Sequence, residues 1–277
     1  MMKYRWSTYT AVAVCGVVGV AATTFHGPRD EPVVTAVATD YHLALPETLT
    51  AGPTEFRLEN RGRELHHVFI VRLGPGKTAN DFAQALKAGG PPPTWAIPMG
   101  GPNGVDPGAT SLTTTVPLTA GRYAALCIIP GPDGVPHVMK GMIAELRVVP
   151  GARKTAMPTA TDATVRLLDY AFDFSHPITA STRSILVRND GKQPHELEIA
   201  RLEPGKTPAD LAAWAEKMVG RPPAHFLGGV SPIAPGQANE LSLSLPPGRY
   251  VLLCFVPDVK DAKPHTAHGM VRDFIVR

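Results

Sequence analysis

The chain has 277 residues, which exceeds one ordinary domain and suits two domains of roughly 120 residues, each able to bury its own core. Its 26 glycines and 29 prolines cluster between apolar runs, a pattern typical of the turns of a β-rich protein rather than of disorder. The formal net charge of +3 is small and scattered, and no cluster of Lys and Arg with interleaved aromatic residues occurs. Composition therefore excludes nucleic acid as an expected partner.

Residues 1–25 have the pattern of an export signal. Lys3 and Arg5 precede an apolar stretch without charge over residues 8–24, and small residues at 19–22 offer a cleavage site. The stretch is also near the shortest length that spans a bilayer, so an uncleaved membrane anchor is the alternative. We therefore expect an extracytoplasmic protein, periplasmic or secreted, tethered to the membrane through residues 1–25 if the segment is retained.

Residues 33–150 predict a first β domain. Short apolar or alternating runs bounded by Gly, Pro and Asn predict strands over residues 35–39, 54–58, 67–73, 111–118, 122–129 and 142–149. Thr78 is the expected N-cap of a short helix over residues 80–87, which Gly89 and Gly90 end. Residues 151–161 are rich in Ala, Thr, Lys and Pro and lack periodicity, so they predict a linker.

Residues 162–277 repeat the first domain. Residues 60–66 match residues 189–195, and residues 73–78 match residues 202–207, both at an offset of 129. Thr207 and Pro208 mark the start of the second short helix as N-cap and first helical residue. The sequence therefore predicts an all-β protein made of two tandem Greek-key β-sandwiches, each with one short helix.

Each repeat places one thiol, one imidazole and one thioether in the same order near its end. A Gly-Arg-Tyr strand leads to the cysteine, a Pro-His pair follows, and a methionine lies five residues beyond that histidine. A histidine further upstream completes a His2Cys set with a weak axial Met, the combination that favours copper. The predicted metal ligands are His66, Cys127, His137 and Met142 in the first repeat, and His195, Cys254, His265 and Met270 in the second. We expect one copper ion in each domain.

These landmarks resemble the cupredoxin family, to which plastocyanin and azurin belong. The family pattern has Asn-x-Gly or a similar turn before the first His, a Gly-x-Tyr strand that leads to the Cys, and then His and Met, and both repeats contain it. The resemblance implies cupredoxin-like sandwiches and copper-dependent electron transfer with an unidentified redox partner protein. One feature departs from the family: the Cys and the next His are 10 residues apart in the first repeat and 11 in the second, where familiar members have only a few.

Other functions also fit these residues. A buried Cys or Met is often only a packing residue, so one alternative is a metal-free cupredoxin-fold module for binding or structure. The second alternative is a copper chaperone or sensor, and zinc is a competing metal for a Cys and two His. His67 aligns with Glu196, and His268 aligns with Lys140, so neither of these histidines is an expected ligand.

The sequence predicts a protein that is not an enzyme. The resemblance implies that copper enzymes of this fold need further paired histidines, including one beside the Cys, whereas apolar residues flank both Cys127 and Cys254. In addition, no Gly-x-Ser-x-Gly, phosphate-loop or His-Glu-x-x-His motif occurs.

Overall fold

The computed structural model describes residues 33–151, 161–215 and 220–277. The predicted export segment, residues 1–25, and residues 152–160 of the predicted linker lie outside this part. Within the described ranges, no helix is both long and apolar enough to cross a membrane. Residues 33–151 are called the first half below, and the described residues of 161–277 the second half.

The described residues form seventeen strands, two α-helices and two 3₁₀ helices. The strands of the first half are β1 (Val33–Thr39), β2 (His42–Ala44), β3 (Thr48–Thr50), β4 (Gly52–Asn60), β5 (Phe69–Leu73), β6 (Ala96–Gly100), β7 (Thr113–Leu118), β8 (Gly121–Leu126) and β9 (Ile143–Val149). Those of the second half are β10 (Ala163–Leu168), β11 (Ala171–Phe174), β12 (Ser184–Asn189), β13 (His195–Leu202), β14 (Ala224–Ile233), β15 (Ala238–Ser242), β16 (Gly248–Leu253) and β17 (Val271–Val276). The helices are α1 (Ala79–Ala88) and α2 (Pro208–Ala215), and the 3₁₀ helices are His137–Lys140 and His265–His268.

The two halves repeat the same strand pairings. β1 pairs in parallel with β4, as β10 does with β12, and β5 lies between β6 and β8 as β13 lies between β14 and β16. The last two strands of each half, β8 with β9 and β16 with β17, are antiparallel. The predicted all-β class with one short α-helix per half is confirmed, and the duplication read from the sequence extends to the topology.

Both sheets continue from one half into the other. The first sheet has the order β11-β10-β12-β15-β7-β4-β1-β2, and the second has the order β17-β16-β13-β14-β6-β5-β8-β9-β3. The halves meet where β7 pairs with β15 over three residue pairs and where Met99 of β6 pairs with Ile233 of β14. The division into domains at 33–150 and 162–277 stays a prediction.

Each half has its own apolar core between the two sheets. In the first half, Phe56 and Leu58 of the first sheet pack against Ile70, Tyr123 and Leu146 of the second. Val165, Leu167, Ile199, Leu241 and Tyr250 fill the second half in the same way. Burying each such side chain stabilises the fold by about 1.5–3 kcal/mol, so alternation along the strands fixes which face is inside.

The α-helices cover the outer face of the second sheet. Phe82 of α1 packs on Phe69 and Val71, which point away from the central core, and Leu211 of α2 does the same in the second half. Thr78 and Asp81 form a reciprocal capping box at the start of α1. The second sheet is therefore covered on both faces at β8 and β16, the strands that lead to the cysteines.

Candidate metal centres

In the first half, three predicted ligands meet in one buried cluster. The Nδ1 atoms of His66 and His137 lie 3.1 Å apart, and Cys127 Sγ lies 3.4 Å from His137 Nδ1. All three side chains are fully buried, and their candidate ligand atoms lie within 4.8 Å of one another. The structure therefore brings together two imidazoles and one thiol that are separated by up to 71 residues in sequence.

The second half contains the same cluster. The Nδ1 atoms of His195 and His265 lie 3.0 Å apart, and Cys254 Sγ lies 3.2 Å from His265 Nδ1 and 3.9 Å from His195 Nδ1. These side chains are also fully buried. In both clusters the same ring nitrogen of each histidine points to the shared centre.

An Asn-x-Gly turn positions the first histidine of each cluster. Asn60 Nδ2 donates to the carbonyl oxygens of Glu64 and Val105, while its Oδ1 accepts from the amide of Gly62. A Cβ atom at Gly62 would lie 2.6 Å from both His66 Nε2 and an oxygen of Asp40, so a side chain does not fit there.

Asn189 and Gly191 repeat these contacts in the second half. Asn189 Nδ2 donates to the carbonyl oxygens of Gln193 and Ile233, and a Cβ atom at Gly191 would lie 2.6 Å from His195 Nε2. The Asn-x-Gly motif thus has a packing reason in both halves: it closes the turn and leaves room for the imidazole.

The long loop between the Cys and the second histidine returns to the site through backbone pairing. Pro130 bridges Pro136 in the first half, and Pro257 bridges Pro264 in the second. The amide of His137 then donates to Ile129 O at 3.0 Å, and the amide of His265 donates to Val256 O at 2.9 Å. Because each loop closes on itself, the unusual spacing of 10 and 11 residues still delivers the histidine to the cysteine.

Met142 and Met270 are fully buried in the cores that contain Cys127 and Cys254. The amide of Met142 donates to His137 O, and its carbonyl oxygen accepts from the amide of Cys127. Met270 makes the same two bonds with His265 and Cys254. The backbone thus ties each methionine to two members of the cluster, and the axial role of its sulfur stays a prediction.

The strand before Cys127 is shorter than predicted. The run predicted over residues 122–129 ends at Leu126, because the amide of Cys127 pairs with Met142 O and its carbonyl oxygen accepts from Val138. Each Cys therefore lies at the exit of a strand rather than inside one.

A carboxylate lies behind the outward nitrogen of every histidine in the clusters. In the first half, His137 Nε2 lies 2.7 Å from Glu64 Oε2, and His66 Nε2 lies 3.5 Å from Asp40 Oδ1. In the second half, the corresponding distances are 2.9 Å from His195 to Asp169 and 3.8 Å from His265 to Asp258. Glu64 and Asp169 lie within hydrogen-bond distance of His137 and His195 and hold the proton on Nε2, which leaves the Nδ1 lone pair of these two rings facing the centre. The carboxylates at 3.5 and 3.8 Å make no hydrogen bond to His66 or His265.

Burial sets the protonation states of the cluster. Desolvation lowers the pKa of His66, His137 and His195, and it lowers the pKa of His265 to about 4. The same effect raises the pKa of Cys127 to about 12 and that of Cys254 well above its usual value. At neutral pH the metal-free cluster therefore consists of neutral imidazoles and a thiol, and a metal ion must displace the thiol proton.

A layer of polar side chains covers each site. In the first half, Lys140 Nζ donates to Tyr41 OH, which donates to Glu64 Oε1 at 3.0 Å. In the second half, Tyr170 OH and Gln193 Nε2 both donate to Asp258 Oδ2, at 2.5 and 2.9 Å. These layers separate the imidazoles from solvent.

His67 and His268, two of the histidines that were not predicted as ligands, lie outside the clusters. His67 Nδ1 pairs with Asn103 Oδ1 at 3.3 Å, and His67 Nε2 accepts from the amide of Ile128. His268 lies on the partly exposed side of the second site, where it groups with Asp258 and Asp261.

Sequence reasoning missed the carboxylates behind the histidines. Asp40 and Asp169 recur at the offset of 129 that relates His66 to His195, so the repeat contained a signal for them. Glu64 aligns instead with Gln193, and Asp258 comes from the return loop. No repeat signal identifies this second pair.

The donor chemistry of both clusters is that of a copper site, as predicted. Two imidazoles and one thiolate in the ligating forms, with a thioether held nearby, favour copper over harder metal ions. The order His, Cys, His and Met along each half agrees with the resemblance to cupredoxins.

No family model matches the chain, and no curated protein sequence matches it. Among solved structures, an auracyanin from the photosynthetic bacterium Roseiflexus castenholzii is 21% identical with a TM-score of 0.31, over 43% of this chain and 98% of that chain. A multicopper oxidase is 14% identical with a TM-score of 0.25, over 89% and 88% of the two chains. A copper nitrite reductase from Nitrosomonas europaea is 15% identical with a TM-score of 0.25, over 89% and 93%.

The prediction that the chain is not an enzyme is wrong on these findings, since the multicopper oxidase and the nitrite reductase are enzymes and are similar to most of its length. The prediction rested on the residues beside each cysteine, on the lack of further paired histidines and on the absence of three catalytic motifs. Residues elsewhere in a fold can hold further metal ions. The apolar neighbours of Cys127 and Cys254 therefore exclude a further metal ligand directly beside the cysteine, and they do not exclude catalysis.

Proposed function

We propose that the chain is an exported electron-transfer protein that binds one copper ion in each half. The observation that carries the proposal is the convergence of two histidine Nδ1 atoms on one cysteine Sγ, fully buried, at equivalent places in both halves. A structure without a metal has no need to bury two imidazoles against a thiol twice, because burying polar groups costs free energy unless they are paired.

Each proposed ligand has a distinct role. In the first half, His66 and His137 would supply imidazole nitrogens, Cys127 the thiolate and Met142 a weak thioether donor. In the second half, His195, His265, Cys254 and Met270 would have the same roles. Bound copper supplies a one-electron redox centre. The carboxylates behind the rings orient the imidazoles, and burial keeps water away, so the ligand geometry changes little between the two oxidation states.

The remaining parts of the proposal come from the sequence. We infer export from the signal pattern in residues 1–25, with an uncleaved membrane tether as the alternative, and a redox partner protein outside the cytoplasm. The two halves would be cupredoxin-like domains at 33–150 and 162–277, joined by residues 151–161.

Copper titration of the purified protein tests the proposal. We expect two equivalents of Cu(II) to bind with an intense visible absorption from the thiolate, and Cys127→Ala and Cys254→Ala each to remove one equivalent. Met139→Leu is the matched control, because Met139 lies two residues after His137 in sequence but is 38% exposed. Uptake of zinc without copper contradicts the proposal and assigns the sites to zinc. No uptake at all also contradicts it and favours the metal-free module.

A further inference from the structure

A further group of metal-ligating side chains lies beside the metal centre of the second half. Asp258 and Asp261 belong to the loop that leads from Cys254 to His265, and His268 ends the 3₁₀ helix that follows this loop. One oxygen of each aspartate and one nitrogen of His268 lie within 4.8 Å of one another, and His268 Nε2 is 3.2 Å from Asp261 Oδ1. We call Asp258, Asp261 and His268 the Asp-Asp-His group.

The aligned place in the first half contains a cation that belongs to the protein itself. Lys140 aligns with His268, and Asp133 aligns with Asp261, both at an offset of 128. Lys140 Nζ lies 2.8 Å from Asp133 Oδ1 and 3.1 Å from the hydroxyl oxygen of Tyr41, and it also lies 4.4 Å from the centre of the Tyr41 ring. A positive charge is therefore part of the polar layer that covers the first metal centre.

The second half exchanges this cation for a carboxylate. Gly131 and Asp258 each follow the first proline of the bridge that closes their loop. A Cβ atom at Gly131 would lie 2.7 Å from Lys140 Nζ, so a lysine ammonium fills the place where the Asp258 side chain starts in the second half. No Lys or Arg in the described ranges forms an ion pair with Asp258 or Asp261. The second half thus has one anion more and no ammonium group at this place.

Both carboxylates are ionised and held in position. Hydrogen bonds from Tyr170 OH, Gln193 Nε2 and a backbone amide hold the pKa of Asp258 well below its usual range. The amide of Lys263 donates to Asp261 Oδ1 at 3.0 Å and lowers the pKa of that carboxyl group. Hydrogen-bond partners of this kind orient carboxylates that bind metal ions.

A buried nitrogen atom independently points to a ligand at this place. His265 Nε2 is fully buried, faces Asp258 Oδ2 at 3.8 Å and has no hydrogen-bond partner among the described residues. The aligned atom of the first half, His137 Nε2, is paired with Glu64 at 2.7 Å. A buried polar atom costs free energy unless it is paired, and a water molecule bound to a metal ion in the Asp-Asp-His group would pair with it.

The donor atoms indicate which metal ion fits. Two carboxylates and one imidazole suit Zn²⁺, which takes nitrogen and oxygen ligands and keeps water in the fourth position of an open site. Ca²⁺ and Mg²⁺ prefer oxygen ligands alone, so the imidazole argues against both. The side chains of Asp261 and His268 are 37% and 29% exposed, which gives an ion and its water access from solvent.

We propose that Asp258, Asp261 and His268 bind a zinc ion as a third metal site of the chain. The two aspartates supply oxygen ligands, and the imidazole of His268 supplies nitrogen. The zinc ion gives the second metal centre the positive charge that Lys140 gives the first. Its ligands are separate from those of the two inner clusters, so the site does not require copper.

Zinc uptake by the full chain measures this site. The protein is loaded with two equivalents of copper to fill the inner clusters, dialysed against micromolar zinc and analysed for both metals. We expect the parent to retain one zinc ion per chain. His268→Lys, which places the lysine of the first half at the aligned position, and Asp261→Asn should each lose this zinc ion and keep their copper.

Asp133→Asn is the matched control, because Asp133 is the aligned aspartate of the first half and lies beside a lysine instead of a histidine. It should retain as much zinc as the parent. A large excess of Ca²⁺ or Mg²⁺ should leave the bound zinc in place. If Asp261→Asn does not fold, His268→Lys still provides the test, since the first half accommodates a lysine at that position.

The expected difference does not depend on copper. If the chain retains no copper, which refutes the proposed function, zinc can also enter the inner clusters, and His268→Lys should then bind one zinc ion fewer than the parent. Equal zinc in the parent and in His268→Lys overturns the third site. An equal loss of zinc in Asp133→Asn, or displacement of the zinc by Ca²⁺, also overturns it.

Discussion

The two metal centres have the same inner cluster and different outer layers. The Nδ1 to Nδ1 distances are 3.1 and 3.0 Å, and each Cys Sγ lies 3.4 or 3.2 Å from its nearer histidine nitrogen. In the outer layer, the close carboxylate lies behind the second histidine in the first half, at 2.7 Å, and behind the first histidine in the second half, at 2.9 Å. The distances within the inner cluster are nearly the same in both halves, whereas the close carboxylate lies behind a different histidine in each half.

A specific exchange of side chains explains this difference. Glu64 reaches His137 directly, but the aligned residue Gln193 is neutral and instead donates to Asp258, a carboxylate from the return loop. Hydrogen bonds from Tyr170, Gln193 and the Lys260 amide hold the pKa of Asp258 well below its usual range, so it stays ionised, 3.8 Å from His265 Nε2. In the second half, the carboxylate behind His265 therefore comes from another part of the chain than in the first half, and it lies at a longer distance from the ring.

The largest expected effect comes from removing the close carboxylates. We call their placement, behind the second histidine in the first half and behind the first histidine in the second half, the crossed pattern. Glu64→Gln and Asp169→Asn remove the close carboxylates, and each should lower the copper affinity of its own site by about 10- to 100-fold, because an outer partner fixes the ring orientation and tautomer. Asp258→Asn and Asp40→Asn remove the distant ones, at 3.8 and 3.5 Å, and should have smaller effects.

Competitive copper titration measures the four affinities. Variants of the first half are made in the Cys254→Ala background and those of the second half in Cys127→Ala, so that one site is observed at a time. Equal losses for all four variants would show that the distances do not determine the affinity and would refute the crossed pattern.

The effect of pH on copper affinity should be the same at both sites. Because burial keeps each cysteine protonated and each imidazole neutral near pH 7, copper binding releases one proton from the thiol. The affinity should therefore rise about tenfold per pH unit between about pH 6 and 8, and fall by the same factor as the pH is lowered.

Titrations of the two single-cysteine proteins at several pH values, in a buffer that does not bind copper, give the slope. Proton release can be measured independently in weakly buffered solution. A slope near two at either site would mean that an imidazole there is also protonated, and it would show that the inner clusters differ after all.

The inner cluster was predictable from the sequence because local rules and the repeat agree on it. Short spacings, such as the five residues between His265 and Met270, and the recurrence of His66 as His195 identify it without knowledge of the fold. Asp40 and Asp169 carried the same repeat signal. Their function was not apparent, because an aspartate after a strand is common.

The other features depend on contacts between distant parts of the chain. The Pro130 to Pro136 bridge that closes a long loop, the substitution of Asp258 for Glu64 and the continuous sheets all require strand positions that spacing does not encode. Asn103 also has no sequence signal, because its contacts, such as the bond from its amide to Gly229 O, lie between two halves whose relative placement comes only from the fold.

The smallest expected effect concerns the tyrosine that precedes each cysteine by four residues. Tyr123 OH donates to Thr119 O at 2.8 Å and accepts from the Thr119 amide at 3.1 Å, whereas Tyr250 OH donates to Pro246 O at 2.7 Å. Proline has no amide hydrogen, so the second half lacks the additional bond. Each tyrosine hydroxyl therefore bonds the strand that leads to the metal centre to the turn before that strand.

Tyr123→Phe should lower the free energy of unfolding by about 1.5 kcal/mol and Tyr250→Phe by about 1 kcal/mol, because only the first leaves a backbone amide without its partner. Urea unfolding of the metal-free protein measures both. The double variant is the control: the two sites share no contacts, so the losses should add to within about 0.5 kcal/mol. A larger loss in Tyr250→Phe would mean that packing around the ring, rather than the hydroxyl bonds, distinguishes the halves at this position.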